Sequence, residues 1–526
     1  MKLLALLFVL CVSGLLAQPT FVKVIYATGT IANDLNELSS GNLKVGISLG
    51  RGTSLLDPEG NLIQSQIYNV DTFLAMGSLK RYTDNEYYFV GGYYRDSCTV
   101  PEGNYNRQIH PVFGKMDSLG IISQASYYRL NTSDCASFAQ GLSVNADGSA
   151  FVWGDSKYAL KVNAQGVVQW ARHFGRRVAF QFMKELPNGD VLAGLNTSVA
   201  GAAVARLGPN GDFIWCKSYF RPSGMIADCI VETDDSFVVV GYSDSLRGDF
   251  APWPTGYDPK LFTMKLNGNG EVQWCKGYST AQPWYTPDQP VVTKTQDGNY
   301  VMLADIGNPI YRIEGRPHMM KLDQNGDTLW TRAYGADGFR YETRNVLAYS
   351  DGGYIFNGYV YGALPDGQSG NAFLNKTDSL GHLPCNEYYE PLEVVDLFPV
   401  DSSFTLVSED GAEVRQAFIE YADWPLMEPI DTCFITTSVY DVDGPAPKPR
   451  IRPNPNTGRF TVQFADPLLA ESYYSVYDTM GKLLVQRRLP TGATVEEVDL
   501  AGYGAGTYVV KVTSPDGVCH ERVVVE

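Results

Sequence analysis

The residues that could do chemistry are few and scattered. Gly46-Ile47-Ser48-Leu49-Gly50 has the Gly-x-Ser-x-Gly spacing of a serine hydrolase. That chemistry needs the serine on a strained strand-to-helix elbow beside an oxyanion hole. Here Ser48 falls in an apolar strand pattern with no helical pattern after it, and reads as part of a strand. The five histidines, at 110, 173, 318, 382 and 520, show no His-x-His or His-Glu-x-x-His spacing, so the sequence singles out no metal site. Turns such as Asp323-Gln-Asn-Gly-Asp327 lack the closing bidentate Glu of a calcium loop and read as capped turns. The 58 acidic residues offer many carboxylate pairs for glycoside hydrolysis and favour none of them. No catalytic residue, metal or cofactor is expected.

What does recur is a scaffold. "KLDQNGDTLWTRAYG" at 321 has counterparts at 55, 115, 161, 206, 265 and 376, with the shared glycine at 60, 120, 166, 211, 270, 326 and 381. An internal period of this length is the signature of a repeat architecture. Asp57-Pro58-Glu59-Gly60 has type I turn chemistry: Asp caps its own backbone, Pro presets φ and Gly accepts the exit. Alternating flanks, such as Phe262, Met264 and Leu266, make each copy a hairpin with one buried face.

A second hairpin precedes each copy, for example "TQDGNYVML" at 295 and "YSDGGYIFNGY" at 349, with Asp-Gly expected in a two-residue turn of positive φ. Four short antiparallel strands per unit is a propeller blade. Counting a weak unit after 391, there are eight first hairpins and seven second ones. "FVKVIYATG" at 21 matches a fourth strand and is expected to close the ring against that last unit. The expected fold is all-β: an eight-bladed, alternatively seven-bladed, β-propeller at 18–440, followed by a Pro-rich linker at 441–450 and a small immunoglobulin-like β-sandwich at 451–526.

The first residues, "MKLLALLFVLCVSGLLA", pair one Lys with an apolar run and a small residue at Ala17, the pattern of a signal peptide spanning 1–17. No later segment reaches 18 apolar residues, so no membrane span is expected. A net charge of −17 excludes ordinary nucleic-acid binding, which depends on neutralising phosphates. Export permits disulfides. Cys98 and Cys135 fall in connections on one side of the second unit and are the disulfide candidate. Cys216 and Cys275 occupy equivalent positions in neighbouring units and read as packing, as do Trp170, Trp215, Trp274 and Trp330.

The tail resembles the type A C-terminal sorting domain of the type IX secretion system of Bacteroidota. The matching residues are Pro453, Asn454, Pro455 and Gly458, then Asp478 and Gly481 in a hairpin turn, then Leu500, Gly502, Gly506 and Tyr508 before a final strand. The resemblance implies recognition by outer-membrane type IX machinery and delivery to the cell surface or medium. It implies nothing about the propeller's ligand.

Two functions of different kinds are compatible with this scaffold. The favoured one is a binding or adhesion propeller for a glycan, peptide or surface protein. The alternative is a polysaccharide hydrolase or lyase with its active site at the propeller mouth. The first strands show few converging charges, which favours binding. Long loops rich in Pro and aromatics, at 243–260, 279–290 and 305–317, are expected on one face, where Trp253, Tyr257, Trp284, Tyr285 and Tyr311 form the candidate ligand patch.

Overall fold

The computed structural model describes residues 20–431 and 449–526, except 26–31, 48–51, 69–72, 96–97, 101–102, 106–107, 131–137, 155–157, 175–177, 198–200, 221–223, 234, 244–259, 280–285, 309–312, 337–338, 362–369, 389–391, 400, 405–407, 411, 418, 420, 424–428, 465–466, 469–471, 479–482 and 515–516. The chain divides into two compact units, 1–432 and 433–526. No helix long and apolar enough to cross a membrane occurs among the described residues.

The described strands of the first unit make seven five-stranded antiparallel sheets and a small two-stranded ribbon. The first strands of blades 1 to 7 are Ala32–Glu37, Phe73–Thr83, Ala139–Val144, Val178–Glu185, Met225–Val231, Thr286–Lys294 and Arg340–Ala348. Each touches the next, and the seventh touches the first, so the sheets close into a ring. The fourth strand of blade 7 is the N-terminal Phe21–Ile25, paired with Asn371–Thr377.

Both hairpins of a blade use one turn. At 57–61, Gly60 N–H donates to Asp57 O and Asp57 N–H to Asn61 O. The Asp57 carboxylate also accepts from the N–H groups of Glu59 and Asn61. Asp117, Asn163, Asn267, Asp323 and Asp378 cap their turns in the same way. The expected positive-φ pair in the first hairpins is not found. At 145–149, 186–190, 295–299 and 349–353 the glycine alone has positive φ, and Asp235 stands in its place at φ 55°. A type I turn closed by one left-handed residue explains this, since it asks for positive φ only once.

Consecutive blades are joined through these turns. In blades 3 to 6 the tryptophan four residues after the turn glycine packs under the turn glycine of the next blade, whereas blades 1 and 2 have Gln64 and Gln124 there. A Cβ on Gly211 would lie 2.9 Å from Trp170, one on Gly270 2.8 Å from Trp215, and one on Gly326 2.8 Å from Trp274. Phe21 takes the same place under Gly60, so the closing strand reproduces the internal contact. Eight residues after the glycine, a buried tyrosine donates to the carbonyl of the next blade's glycine: Tyr68 to Gly120 at 3.0 Å, Tyr128 to Gly166 at 2.9 Å, Tyr219 to Gly270 at 2.8 Å, Tyr278 to Gly326 at 2.5 Å and Tyr334 to Gly381 at 2.7 Å. Burial raises the pKa of Tyr128, Tyr219, Tyr278 and Tyr334 above its ordinary value, so the hydroxyls stay donors.

The segment expected as an eighth unit is a belt. Glu387–Tyr388, Glu393–Asp396, Ser402–Ser403, Ser408–Asp410, Ala412–Gln416, Tyr421–Asp423 and Ile430–Asp431 add a fifth strand to blades 6, 5, 4, 3, 2, 1 and 7 in that order. Among the described residues, the N-terminal strand therefore pairs with the C-terminal segment through Lys23 and Val24 against Asp431 and Ile430. The physical reason is spacing. The segment carries an apolar anchor every several residues, too few for a strand–turn–strand unit but enough to reach the next blade. Leu397, Phe404 and Ala417 each enter a different core cluster. Their N–H groups bond to the carbonyls of Cys275, Cys216 and Ala125. Lys276 pairs with Asp396 at 2.8 Å and Lys217 with Asp401 at 3.0 Å. The repeated Trp-Cys-Lys is thus a belt-docking motif. Cys216, Cys229 and Cys275 are free and buried, and burial pushes the thiols of Cys216 and Cys229 up to about 12. Cys385, just before the belt, is disulfide-bonded. Cys135 of the proposed pair lies outside the described residues, and Cys98 opens the short strand Cys98–Val100.

The second unit is a sandwich of a three-stranded sheet (Arg450–Arg452, Arg459–Gln463, Val495–Asp499) and a four-stranded one (Leu483–Leu489, Ser472–Asp478, Gly506–Ser514, Gly517–Val525). Phe460, Val462, Tyr474, Val476, Val510 and Val523 fill the space between them.

Gly298 and Gly326 have φ of 80° and 82°, but only at Gly326 would a methyl strike an aromatic ring. Gly298→Ala should cost about 1 kcal/mol for backbone strain alone. Gly326→Ala should cost at least about 1 kcal/mol more, because the Trp274 contact must open. Equal melting temperatures for the two variants would contradict the turn-to-aromatic joint.

Lys44 is 1% exposed, and burial lowers its pKa from the ordinary 10.5 to about 7, with Asp117 opposing the change. The unfolded chain therefore binds more protons than the folded one between pH 7 and 10.5, so this group makes stability rise with pH across that window. Lys44→Met should stabilise the protein most below pH 7, by a few kcal/mol, since each tenfold loss of proton affinity on folding costs roughly 1.4 kcal/mol. The gain should vanish towards pH 10.5, as read from denaturant unfolding at a series of pH values.

Candidate functional site

The innermost strand of each blade presents an edge with no strand partner among the described residues, and that edge lines the ring's axis. All seven first strands break register with their second strand through an extra residue, the two-against-one arrangement of a β-bulge. Where the first turn has its five-residue form, the extra residue lies eight positions before the turn's left-handed residue. The bulge tier, in blade order, is Asn33, Gly77, Gln140, Gln181, Ala227, Pro290 and Arg344. It holds three amides, one guanidinium and no carboxylate.

Among the described side chains, the carboxylates of Asp34, Asp228 and Asp305 beside the tier are committed. Asp34 accepts from Leu79 N–H at 2.7 Å and pairs with Lys80 at 2.5 Å, linking blades 1 and 2. Asp228 accepts from Val292 N–H at 3.1 Å and pairs with Lys184 at 3.2 Å, linking blades 4, 5 and 6. Asp305 accepts from Thr343 N–H at 2.6 Å and from its hydroxyl at 3.1 Å, linking blades 6 and 7. Asn36 bonds the backbone of Leu79 and Arg81, and Asn345 donates to Asn33 O across the closing seam. Polar side chains of one blade thus satisfy the free inner edge of the next, which is what an unpaired edge requires. The first strands carry more charge than their sequence suggested, and pairing between blades disposes of it.

At blade 7 the tier meets a second cluster. The Arg344 guanidinium lies 5.2 Å from the Tyr359 ring centre, and Arg340 lies 5.4 Å from that of Tyr361. The two rings meet edge-on at 4.9 Å. Glu342 sits between the arginines, paired to Arg340 and 3.7 Å from Arg344. Burial raises the pKa of Tyr361, with Glu342 adding to the shift and the two arginines opposing it. Sequence reading missed this tier. Its signal was the fixed offset from the turn glycine, which has no meaning until the bulge is known.

Of the aromatic patch expected from sequence, Trp253, Tyr257, Trp284, Tyr285 and Tyr311 all lie outside the described residues. Two of its loops are shorter than expected. Thr286–Lys294 and Tyr300–Asn308 are paired strands, from Thr286 against Gly307 onwards. Between Asn308 and Ile313, residues 309–312 lie outside the described residues. Ser48 also lies outside the described residues, directly after the strand Leu43–Ile47.

In the C-terminal unit the motif residues tie the first segment to the last strand. Asn454 donates to Arg522 O at 2.7 Å and accepts from Val524 N–H at 2.8 Å. Buried Asn456, which sequence reading passed over, bonds Val524 O through its backbone and side chain, and its own carbonyl accepts from Glu526 N–H. Its Oδ1 also accepts from Gly458 N–H at 2.8 Å. Gly458 has φ 94°, and a Cβ there would lie 2.7 Å from Ala501 Cα, so the position demands glycine. Tyr508 donates to the carbonyls of Tyr503 and Gly504. Pro453 and Pro455 flank Asn454, Gly506 opens the strand to Ser514, and Asp478 ends the strand opposite Tyr508. Gly481 lies outside the described residues.

Residues 450–526 match the family model of the secretion system C-terminal sorting domain. This unit is therefore a type IX sorting domain, and the protein is one exported to the cell surface or the medium. Joined to the closed ring before it, it defines an exported β-propeller. No curated protein matches the chain.

Among solved structures, a Bacteroides caccae protein of unknown function is 9% identical (TM-score 0.32), over 60% of this chain and 99% of that one. PorZ, a surface component of the Porphyromonas gingivalis type IX system, is 11% identical (TM-score 0.29), over 95% of this chain and 82% of its own. The WD40 domain of Neurospora crassa Pan2 is 10% identical (TM-score 0.37), over 70% and 98%.

A chain ending at residue 440 should remain in the periplasm of its native host while its propeller keeps the melting temperature it has in the full chain. Cell fractionation reads the first outcome and calorimetry the second. Wild-type export of that shortened chain would contradict a sorting role for 450–526.

Proposed function

We propose that the protein is a non-catalytic binding or adhesion propeller, carried out of the cell by its sorting domain to engage an extracellular glycan, peptide or surface protein. The observation that carries this reading is the bulge tier. An acid/base hydrolase needs two carboxylates free to exchange protons across a scissile bond. The bulge tier supplies none among the described residues, and Asp34, Asp228 and Asp305 beside it are spent on backbone N–H groups. Asn33 already donates to the carbonyls of Met76 and Gly77, and the amides of Gln140 and Gln181 each carry a donor and an acceptor face, which suits holding a ligand in place. Trp253, Tyr257, Trp284, Tyr285 and Tyr311 would add stacking surface from the connections of blades 5 and 6.

Purified mature protein on a glycan and protein array should retain ligands without releasing products, as read by reducing-end and mass analysis. Release of unsaturated or shortened saccharides at enzymatic turnover would replace this reading with the hydrolase or lyase one. Trp253→Ala with Trp284→Ala should weaken retention while moving the melting temperature by only a few degrees.

A further inference from the structure

We infer that the disulfide partner of Cys385 is Cys433, and that this bond clasps the two ends of the belt at the seam where the ring closes.

Three observations carry it. The first is the cysteine inventory. Cysteines occur at 11, 98, 135, 216, 229, 275, 385, 433 and 519. Cys385 is disulfide-bonded, whereas Cys216, Cys229 and Cys275 are free. Cys11 belongs to the leader expected to be removed. The candidates are therefore Cys98, Cys135, Cys433 and Cys519.

The second is the path of the belt. It starts on blade 6, where Asn386 O accepts from Gly335 N–H and Glu387 pairs with Tyr334. It passes blades 5, 4, 3, 2 and 1 and finishes on blade 7 at Ile430–Asp431. Blades 6 and 7 are neighbours, so a belt that circles the ring begins and ends at one seam. Asp431 lies opposite Lys23 and runs antiparallel to Phe21–Ile25, so the chain leaves it towards Phe21. Phe21 pairs with Lys376, close to the 378–382 turn, and the chain runs from that turn through Cys385 to Gly335. Cys433 lies outside the described residues and follows Asp431 by two positions. Two residues reach about 7 Å at most. A disulfide needs its Cα atoms within about 7 Å of each other.

The third is the place of the other candidates. Cys98 opens the strand after Glu86–Arg95, the second strand of blade 2, and Cys135 falls between Leu130 of blade 2 and Ala139 of blade 3. Blade 1 stands between those sites and the seam on one side, and blades 4 and 5 on the other. Position 519 is opposite Val512, which fills the core of the C-terminal sandwich, and opposite residues of a pair share one face of the sheet. Cys433 alone remains.

The bond answers a weakness at the seam. The belt is held at its two ends by two-residue pairings, Glu387–Tyr388 and Ile430–Asp431, and so little pairing opens readily. Joined to each other, neither end can peel away from its blade alone. Formation takes two electrons and two protons from the two thiols. They pass by thiol–disulfide exchange to an oxidised dithiol of the export compartment, which is reduced in turn. The two cysteines meet only after the belt has circled the ring, so the bond marks a completed propeller.

The test uses the full mature chain recovered from its native host and alkylated before digestion. Without reductant, the tryptic peptide from Thr377 to Arg415 should run joined to the one from Gln416 to Arg450, and reductant should separate them. A bond from Cys385 to Cys98, Cys135 or Cys519, or a Cys385 that alkylates without reduction, would overturn the assignment. Cys385→Ser with Cys433→Ser should melt several degrees below the wild-type chain and exchange amide hydrogens faster at Glu387–Tyr388 and Ile430–Asp431. Unchanged exchange at both belt ends would overturn the clasp.

Discussion

The structure depends on the joint between consecutive blades: at each one an aromatic ring of one blade lies under the turn glycine of the next, or a tyrosine hydroxyl bonds that glycine's carbonyl, and from blade 4 to blade 7 both occur. The glycine must lack a Cβ for the ring to approach, and it must take positive φ to end the turn. Both demands fall on the same atom. The capping Asp or Asn three residues earlier holds the turn in the one shape that offers the carbonyl to the neighbour. A single hairpin cannot bury its aromatic, so the motif has value only when another copy stands beside it. This is why the chain repeats it, and why Phe21 imitates it where the ring closes.

Two free edges follow from stacking sheets around an axis, and each receives a different treatment. The outer edge is met by the belt, which runs backwards past six blades and ends on the closing strand. It is short-stranded because its work is a few backbone bonds to each blade, an apolar anchor at blades 5, 4 and 2, and an ion pair at blades 6, 5 and 4. The inner edge has no room for another strand, so Asp34, Asp228, Asp305 and the asparagines bond it sideways from the neighbouring blade. The consequence for function is direct. Carboxylates engaged in holding edges are poor proton carriers, and the residues at the bulges are neutral apart from Arg344.

Lys44 shows the limit of such packing. It is buried in the second strand of blade 1 with only a partial countercharge from Asp117, and the protein tolerates the cost because the surrounding ring contacts are many. The sorting domain solves a different problem. Its terminal strand is secured by Asn454 and Asn456 reaching across from the opening segment, so the chain's last residues are ordered by residues about seventy positions earlier.

The sequence by itself determined the local rules: turn chemistry, strand alternation, the repeat and the terminal domain. Each is set by residues within a few positions of one another, and spaced motifs such as Pro453-Asn454-Pro455 with Gly458 keep their meaning out of context. Tertiary structure decided what depends on partners distant in the chain. Residues 391–431 have the apolar content of strands, and only the presence of waiting fourth-strand edges makes them a belt and not an eighth sheet. Asn33, Gln140, Gln181 and Arg344 look unrelated in the chain, separated by gaps that no local interaction spans. The bulge in each inner strand turns them to one tier, and a bulge is a property of pairing between strands, which no single stretch of residues contains.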